Sequence, residues 1–319
     1  MTNTAIIRYK TIGALIRSDP VRRQYGCLSA RGFTMSEKNK GMLADVAIYA
    51  VAFAAAAVPF YMIGNIFVAA AVFTALATVL VFIASCALKD VSVYDPYWSV
   101  APVVILLLCM IKYGYWNVNS IILLSVVTVW AVRLTGNWYI TYKGIGHEDW
   151  RYAMYRQKCS TPVFLLISFF GLHFIPTVVV YLGLVSGLFS IQKTEFSPLS
   201  LLGVAVMLGA VLLELLSDTA IHRFLREHKG ERRTCDISVW KYSRHPNYLG
   251  EMSFWTGMYI YFLPLYPDKW YLGLGFLTII ALFLSVSIPM MERHNLERRP
   301  DYAEYKKHTS MLLLLPCRK

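Results

Sequence analysis

The chain is dominated by apolar stretches that are each long enough, or nearly so, to cross a lipid bilayer. A transmembrane helix needs about 20 apolar residues to span roughly 30 Å of hydrocarbon. Eight stretches approach this length and predict an all-α, polytopic transmembrane helical bundle with about seven or eight spans. The stretches are residues 43–63, 66–88, 98–116, 118–139, 162–189, 198–216, 252–265 and 270–291. The third and the seventh are the weakest.

The composition agrees with this interpretation and excludes a water-soluble domain. Apolar residues make up 57% of the chain and charged residues 16%, whereas soluble domains have about 45–50% and about 25%. We therefore expect a multi-pass integral membrane protein, in the plasma membrane of a bacterium or the endoplasmic reticulum of a eukaryote. The six cysteines form no CxxC pair, so the sequence indicates neither a zinc site nor a disulfide scaffold.

The basic residues predict how the bundle is oriented. The net charge is +12, but lysines and arginines lie between the apolar stretches, which argues against a nucleic-acid partner. If the N-terminus is cytosolic, all but three of the 31 basic residues face the cytosol, as the positive-inside rule requires. The three exceptions are Lys112, Lys193 and Lys269. We predict both termini on the cytosolic side.

The first 41 residues differ in composition from the rest of the chain. They are basic, poor in acidic residues and without the apolar core of a secretory signal peptide. We interpret residues 1–41 as a flexible basic N-terminal extension, with Met35 as an alternative start. Residues 42–319 are predicted to form a single transmembrane domain.

Three ionisable residues share one face of the sixth apolar stretch. Glu214, Asp218 and His222 follow each other at intervals of four, which is the spacing of one helical face. Ionisable groups inside a membrane span usually mark a functional site. The alternative is a structural hydrogen-bond network between helices. A lone histidine in the fifth stretch, His173, is instead expected to be a packed and hydrogen-bonded core residue.

A second polar cluster occupies residues 243–251, with the sequence Ser-Arg-His-Pro-Asn-Tyr-Leu-Gly-Glu. Pro246 excludes helix for the residue before it and favours a helix start, so residues 247–251 are predicted to open the next helix. Free amides at a helix start suit an anionic or phosphate-bearing ligand. The alternative is an interfacial loop whose charges face water.

Further polar residues flank the other apolar stretches. Asp95 precedes the third stretch, Arg133 ends the fourth, and residues 147–152 read His-Glu-Asp-Trp-Arg-Tyr. Glu292 and Arg293 follow the eighth stretch, before a tail with Tyr302 and Tyr305. In the predicted topology these groups meet at the cytosolic leaflet, so we expect one pocket open to the cytosol. Its expected members include Asp95, Arg133, Glu148, Asp218, Arg244, Glu251 and Arg293.

These motifs, in this order and spacing, resemble the steroid 5-alpha-reductase-like superfamily, of the 3-oxo-5-alpha-steroid 4-dehydrogenase C-terminal type. Within it, the chain is most similar to a bacterial-type branch of membrane proteins that shares the Glu-Asp-x-Arg-Tyr element, here residues 148–152. The resemblance covers roughly residues 90–316. It implies a helical bundle that holds NADPH in a cytosol-facing cavity and reduces a carbon–carbon double bond conjugated to a carbonyl in a lipophilic substrate.

The resemblance also implies roles for individual residues. Asp95 matches the acid that polarises the carbonyl, and Asp95 and Arg133 are the expected catalytic residues. The matching tyrosine position falls on Trp130, whose indole cannot protonate an oxygen; Tyr97 and Tyr94 are the alternatives. Glu214 stands where steroid reductases have asparagine. The expected cofactor-binding residues are Glu214, Asp218, His222, Arg226, Arg244, His245, Asn247, Tyr248, Glu251, Arg293 and Tyr302. Arg223, Arg232 and Arg233 are further candidates for the phosphates.

Two other functions remain open from the sequence. An S-adenosylmethionine-dependent methyltransferase of the isoprenylcysteine type would use a related Arg-His-Pro-x-Tyr run, but Asp218, Glu214 and residues 148–152 fit the reductase branch better. A non-catalytic lipid binder or a transporter is the third possibility. Transporters generally place polar groups near the midplane within repeats, whereas here the polar groups gather at one side.

Overall fold

The structure, a computed structural model, describes residues 35–317. The predicted extension therefore lies outside the described residues over 1–34, and residues 35–41 form the first turns of a helix. Within the described range the regular structure is entirely helical. The long helices are α1 Met35–Met62, α2 Ile66–Leu88, α3 Tyr97–Tyr113, α4 Val118–Thr141, α7 Ile175–Ser190, α8 Ser200–Glu227 and α9 Pro246–Phe262. The shorter ones are α5 Trp150–Lys158, α6 Thr161–Leu166, α10 Leu274–Leu282, α11 Ile288–Arg298 and α12 Tyr302–His308.

The predicted polytopic bundle is confirmed. Between residues 35 and 317, seven continuous helical stretches are long and apolar enough to cross a membrane. Two of them contain a π-helical segment, which joins α6 to α7 at Ile167–Phe174 and α10 to α11 at Phe283–Ser287. The predicted seventh stretch is part of α9, which has 17 residues and is not among the seven. It starts at Pro246, as the sequence predicts.

Hydrogen bonds near the helix ends show that successive long helices run in opposite directions. At one end, Lys112 Nζ donates to Phe60 O at 2.6 Å, and Asn119 Nδ2 donates to Lys193 O at 2.7 Å. At the other end, which we call the basic end, Arg156 Nη2 donates to Lys89 O at 3.2 Å. The loops 142–149 and 228–245 and the tail 299–317 lie at the basic end too. The described chain thus begins and finishes at the same end.

Small residues allow α8 and α9 to cross closely. A Cβ at Gly203 would lie 2.6 Å from Gly257 O and would also meet Tyr261 N, and a Cβ at Gly257 would lie 2.9 Å from Met207 N. The two helices therefore pack backbone against backbone, as small residues allow in membrane bundles. This contact aligns Glu214 on α8 with Glu251 on α9.

Candidate functional site

The centre of the site is an arginine held between two carboxylates. Arg133 on α4 donates from Nη1 to Glu214 Oε2 at 2.5 Å and from Nη2 to Asp218 Oδ2. The side chains of Arg133, Glu214 and Asp218 are 8%, 1% and 13% exposed. Since Glu214 and Asp218 are one turn apart on α8, a single guanidinium reaches both. The face of α8 that carries Glu214 and Asp218 therefore points into the bundle.

A third carboxylate lies on the far side of Glu214. Glu251 accepts hydrogen bonds from the indole of Trp255, at 2.8 Å, and from that of Trp130, at 3.1 Å. Glu214 on α8 packs against this part of α9. Gly250 makes this approach possible, because a Cβ there would collide with Glu214 Cγ. Three carboxyl groups and one guanidinium therefore share one buried cluster.

Arg244 and Glu292 form a second cluster, which holds the tail of the chain. Arg244 Nε donates to Glu292 Oε1 at 2.7 Å, and Arg244 Nη1 donates to Thr309 O at 2.7 Å. Lys306 Nζ reaches the other Glu292 oxygen at 2.5 Å. His245 lies 3.5 Å from Glu292 and stacks on Tyr248, with ring centroids 5.3 Å apart. Arg244, which the resemblance assigns to cofactor binding, therefore holds α12 and the tail in place.

The third cluster lies around Asp95 and the segment that carries the Glu-Asp-x-Arg-Tyr element. The Tyr152 hydroxyl donates to Asp95 Oδ1 at 2.5 Å. Asp149 caps α5 and binds Arg151 Nε at 2.7 Å, and Glu148 binds Arg156 Nη2 at 2.7 Å. Burial and the neighbouring Asp95 raise the pKa of Tyr152, so its hydroxyl keeps its proton. This segment therefore supplies a buried donor at the membrane boundary.

A cleft of ≈360 Å³ opens at the basic end, beside α5 and α11. The Trp150 and His294 rings stack in its wall, with centroids 3.6 Å apart and planes 17° from parallel. Arginines dominate the charge of the wall, with Glu231 as an acidic member. The wall also contains Arg232, Asn295, Arg298 and Arg299. Such a cleft offers an aromatic face and several guanidinium groups to an anionic ligand.

The structure brings together part of the predicted set. Arg133 binds Glu214 and Asp218, and Glu251 lies on the part of α9 that packs against Glu214. The contacts of the predicted residues fall into three groups, around Arg133, Arg244 and Asp95. Asn247, Tyr248 and His222 are half-buried, and Tyr302 is buried. Arg226 and Arg293 are exposed and lie on none of the three clusters.

Tyr94 and Tyr97, the two alternative tyrosines, are hydrogen-bonded to threonine hydroxyls. The Tyr94 hydroxyl is 2.7 Å from Thr177 Oγ1, and the Tyr97 hydroxyl accepts from Thr78 Oγ1 at 3.1 Å. Both belong to a buried hydroxyl network among the helices. Asp95 is instead paired with Tyr152, the last residue of the Glu-Asp-x-Arg-Tyr element, for which the sequence predicts no role of its own.

Several contacts of the site were not predicted. Lys306 binds Glu292, and Trp150 stacks on His294, yet no spacing rule joins residues 150 and 294. Arg298 and Arg299 line the cleft. Their position as a basic pair after the last apolar stretch is the one sequence signal that pointed toward it.

The fold and this charged site define a multi-pass integral membrane protein of helical-bundle type. A family model described as "Protein of unknown function (DUF1295)" matches residues 81–309, and the chain belongs to this family. The chain is also similar to "Uncharacterized protein C594.04c" of Schizosaccharomyces pombe, with 23% identity over 252 residues. That alignment covers 68% of this chain and 71% of the yeast protein. No solved structure matches the chain.

Proposed function

We propose that the protein is a membrane-embedded, NADPH-dependent reductase of a carbon–carbon double bond conjugated to a carbonyl in a lipophilic substrate. The observation that carries the proposal is the pairing of a basic, aromatic cleft with a buried carboxylate–guanidinium cluster at the same end of an apolar bundle. A dinucleotide needs both environments. The likeness of the motifs to steroid 5-alpha-reductases supports the same activity.

The residues of the cleft fit the phosphate end of NADPH. Arg232, Arg298 and Arg299 can bind phosphate oxygens through guanidinium groups. The indole of Trp150, already stacked on His294, offers a face for an adenine ring. The cleft volume of ≈360 Å³ lies within the range of small-molecule sites, about 300–1,000 Å³.

The carboxylate cluster fits the other half of the cofactor. Among the described residues, Glu214 Oε1 and Arg133 Nε are buried atoms without a hydrogen-bond partner, and buried polar groups normally have partners. A carboxamide and ribose hydroxyls can supply such partners, as can the half-buried Asn247 at the start of α9. When bound, NADPH supplies the hydride; the chain supplies orientation and exclusion of water.

Asp95 and Tyr152 are assigned to the carbonyl of the substrate. Negative charge develops on the carbonyl oxygen as the double bond is reduced, and a fixed hydrogen-bond donor stabilises it. The Tyr152 hydroxyl keeps its proton and donates it to Asp95 Oδ1 in this structure, so it becomes such a donor when the O–H turns from Asp95 to the carbonyl oxygen. The apolar helices around it suit a steroid-like or other enone lipid drawn from the bilayer.

The proposal is tested by cofactor binding to the purified protein in detergent. A ligand that binds only the folded state raises the apparent stability, so we expect NADPH to raise the unfolding midpoint more than NADH does. Trp150→Ala and Arg298→Gln should weaken NADPH binding at least about tenfold, which equals about 1.4 kcal/mol. Lys307→Gln is the matched control, since Lys307 pairs with Glu304 on the exposed surface of α12.

Each outcome separates the candidate functions. Stabilisation by S-adenosylmethionine alone would move the assignment to a methyltransferase of the isoprenylcysteine type. A response to none of the three ligands would contradict the reductase and favour a non-catalytic lipid binder.

A further inference from the structure

The segment after α12 exposes a run of apolar side chains. Met311, Leu313, Leu314 and Leu315 are all exposed, and residues 311–315 form no helix. We call residues 311–315 the leucine tail. A contiguous exposed apolar patch usually marks a contact with another molecule or with lipid. The level of the leucine tail along the bundle indicates which of these it is.

Hydrogen bonds fix the leucine tail beside the segment that precedes α9. Leu315 N donates to Tyr242 O at 3.3 Å. Ser243 Oγ donates to Leu312 O at 2.7 Å. The leucine tail therefore lies along residues 242–244, where part of its backbone polar groups find partners. Non-helical backbone at a membrane boundary needs such partners, because hydrocarbon supplies none.

Trp240 attaches this segment to a definite level of α8. Its indole donates to Ser217 O at 2.8 Å. Ser200 starts α8 at the opposite end, and between Ser200 and Ser217 the helix rises about 26 Å, at about 1.5 Å per residue. The hydrocarbon of a bilayer is about 30 Å thick. With Ser200 at the opposite boundary, Ser217 lies close to the boundary at the basic end.

The exposed side chains of α8 change in character just after Ser217. Before it, Leu215 and Leu216 are exposed. After it, Arg223 and Glu227 are exposed and form an ion pair. Charged side chains within lipid are costly, so the hydrocarbon ends between Leu216 and Arg223. The leucine tail, attached close to Ser217, lies at this boundary.

The length of α9 gives the same level independently. Ser200 Oγ donates to Tyr261 O at 2.8 Å, so α8 starts beside the last turns of α9. Helix α9 has 17 residues, which corresponds to a length of about 25 Å. Its first residue, Pro246, therefore lies near the level of Ser217. The residues that hold the leucine tail directly precede Pro246.

Lys241 marks the water side of the leucine tail. Its side chain is exposed, and Cys317 Sγ donates to its backbone oxygen at 3.1 Å. A lysine beside a membrane keeps its ammonium group in water or among the lipid headgroups. The chain therefore returns to the headgroup level at Cys317, just after the three exposed leucines.

We propose that the leucine tail is an interfacial anchor, whose leucine side chains enter the acyl region of the leaflet at the basic end. The partner of this apolar surface is lipid, since the surface lies at the level where the exposed side chains of α8 are still leucines. Arg244 and Glu292 hold the tail on the side of α12. The anchor thus joins the lipid boundary to the start of α9.

Photolabelling of the wild-type protein by lipid tests the anchor directly. The probe is a phosphatidylcholine with a diazirine in the upper part of one acyl chain, in nanodiscs that each hold one copy of the protein. We expect covalent adducts on residues 313–315, as on Leu215 and Leu216. Trypsin separates this segment from α12 by cleavage after Lys307, and the peptide with the exposed Glu304 should carry no adduct.

The labelled leucines of α8 are the internal positive control. If Leu215 and Leu216 carry adducts and residues 313–315 carry none, the anchor is overturned, because water or a protein surface then faces the leucine tail. Since each nanodisc holds one copy, a second chain cannot supply that surface.

A second probe tests the depth. A phosphatidylcholine with the diazirine at the end of the acyl chain reports the middle of the bilayer, where α8 places the exposed Leu208, about 12 Å from Ser200 along the axis. We expect this probe to favour Leu208 and to label residues 313–315 less than the first probe does. Stronger labelling of residues 313–315 by the second probe would contradict a position at the boundary.

Discussion

Arg133 Nη1 lies 2.5 Å from Glu214 Oε2, and this contact joins α4 to α8 within the bundle. The side chains are 8% and 1% exposed, so the pair is almost completely removed from solvent. The guanidinium also binds Asp218. It therefore connects α4 to both acidic residues on one face of α8. A buried ion pair of this kind has a strong effect when one partner is removed.

We expect Arg133→Gln to destabilise the protein markedly. Removing one partner of a buried pair leaves uncompensated charge and typically costs about 3–5 kcal/mol. The measurement is the thermal unfolding midpoint in detergent. Arg223→Gln, which breaks an exposed pair on the same α8, should leave the midpoint nearly unchanged. Equal midpoints for the two variants would show that the central pair is not buried as described.

The close crossing of α8 and α9 predicts which glycine positions tolerate a side chain. Gly203→Val should disturb folding, because its Cβ would meet backbone atoms of α9. Overpacking commonly costs about 1–3 kcal/mol, and rigid backbone leaves little room to adjust. Gly209→Val is the matched control on α8, since a Cβ there meets nothing within 4 Å. Expression level and unfolding midpoint measure both. Normal behaviour of Gly203→Val would contradict the crossing.

The Glu292 cluster predicts that the tail depends on one carboxylate. Glu292→Gln removes the charge that binds Arg244 and Lys306. We expect trypsin to cleave more readily near Lys306 and Lys307 as α12 detaches. Glu304→Gln, on the exposed face of α12 with its own pair to Lys307, is the control. Equal cleavage of the two variants would show that Glu292 does not hold the tail.

Thiol labelling tests the topology in which the chain crosses the membrane eight times. Cys317 is exposed at the basic end, while Thr194 is exposed at the other end. A membrane-impermeant maleimide should therefore label Cys317 and Thr194→Cys from opposite sides of a sealed vesicle. Cys235 is an internal negative control, because burial raises the pKa of its thiol to about 11 and the reactive thiolate is scarce at neutral pH. Labelling of both positions from one side would contradict the eight-span topology.

Much of the fold follows from local sequence. Helix α2, Ile66–Leu88, matches its predicted stretch at both ends, since Asn65 caps one end and the apolar run stops at the other. His173 is a packed core histidine, as expected, with Nδ1 2.8 Å from Ser168 O. The start of α1 at Met35 was missed, because the polar residues before the apolar stretch continue the helix beyond it.

The candidate site, like the fold, follows only in part from local sequence. The sequence by itself determined that α8 carries Glu214 and Asp218 on one face and that Pro246 opens α9, because helical periodicity and proline geometry act within a few residues. Only the tertiary structure decided that Gly250 packs against Glu214, that Tyr152 binds Asp95 and that Arg244 holds the tail. Those contacts join residues 36 to 65 positions apart, and their partners depend on how whole helices cross, which no local rule contains.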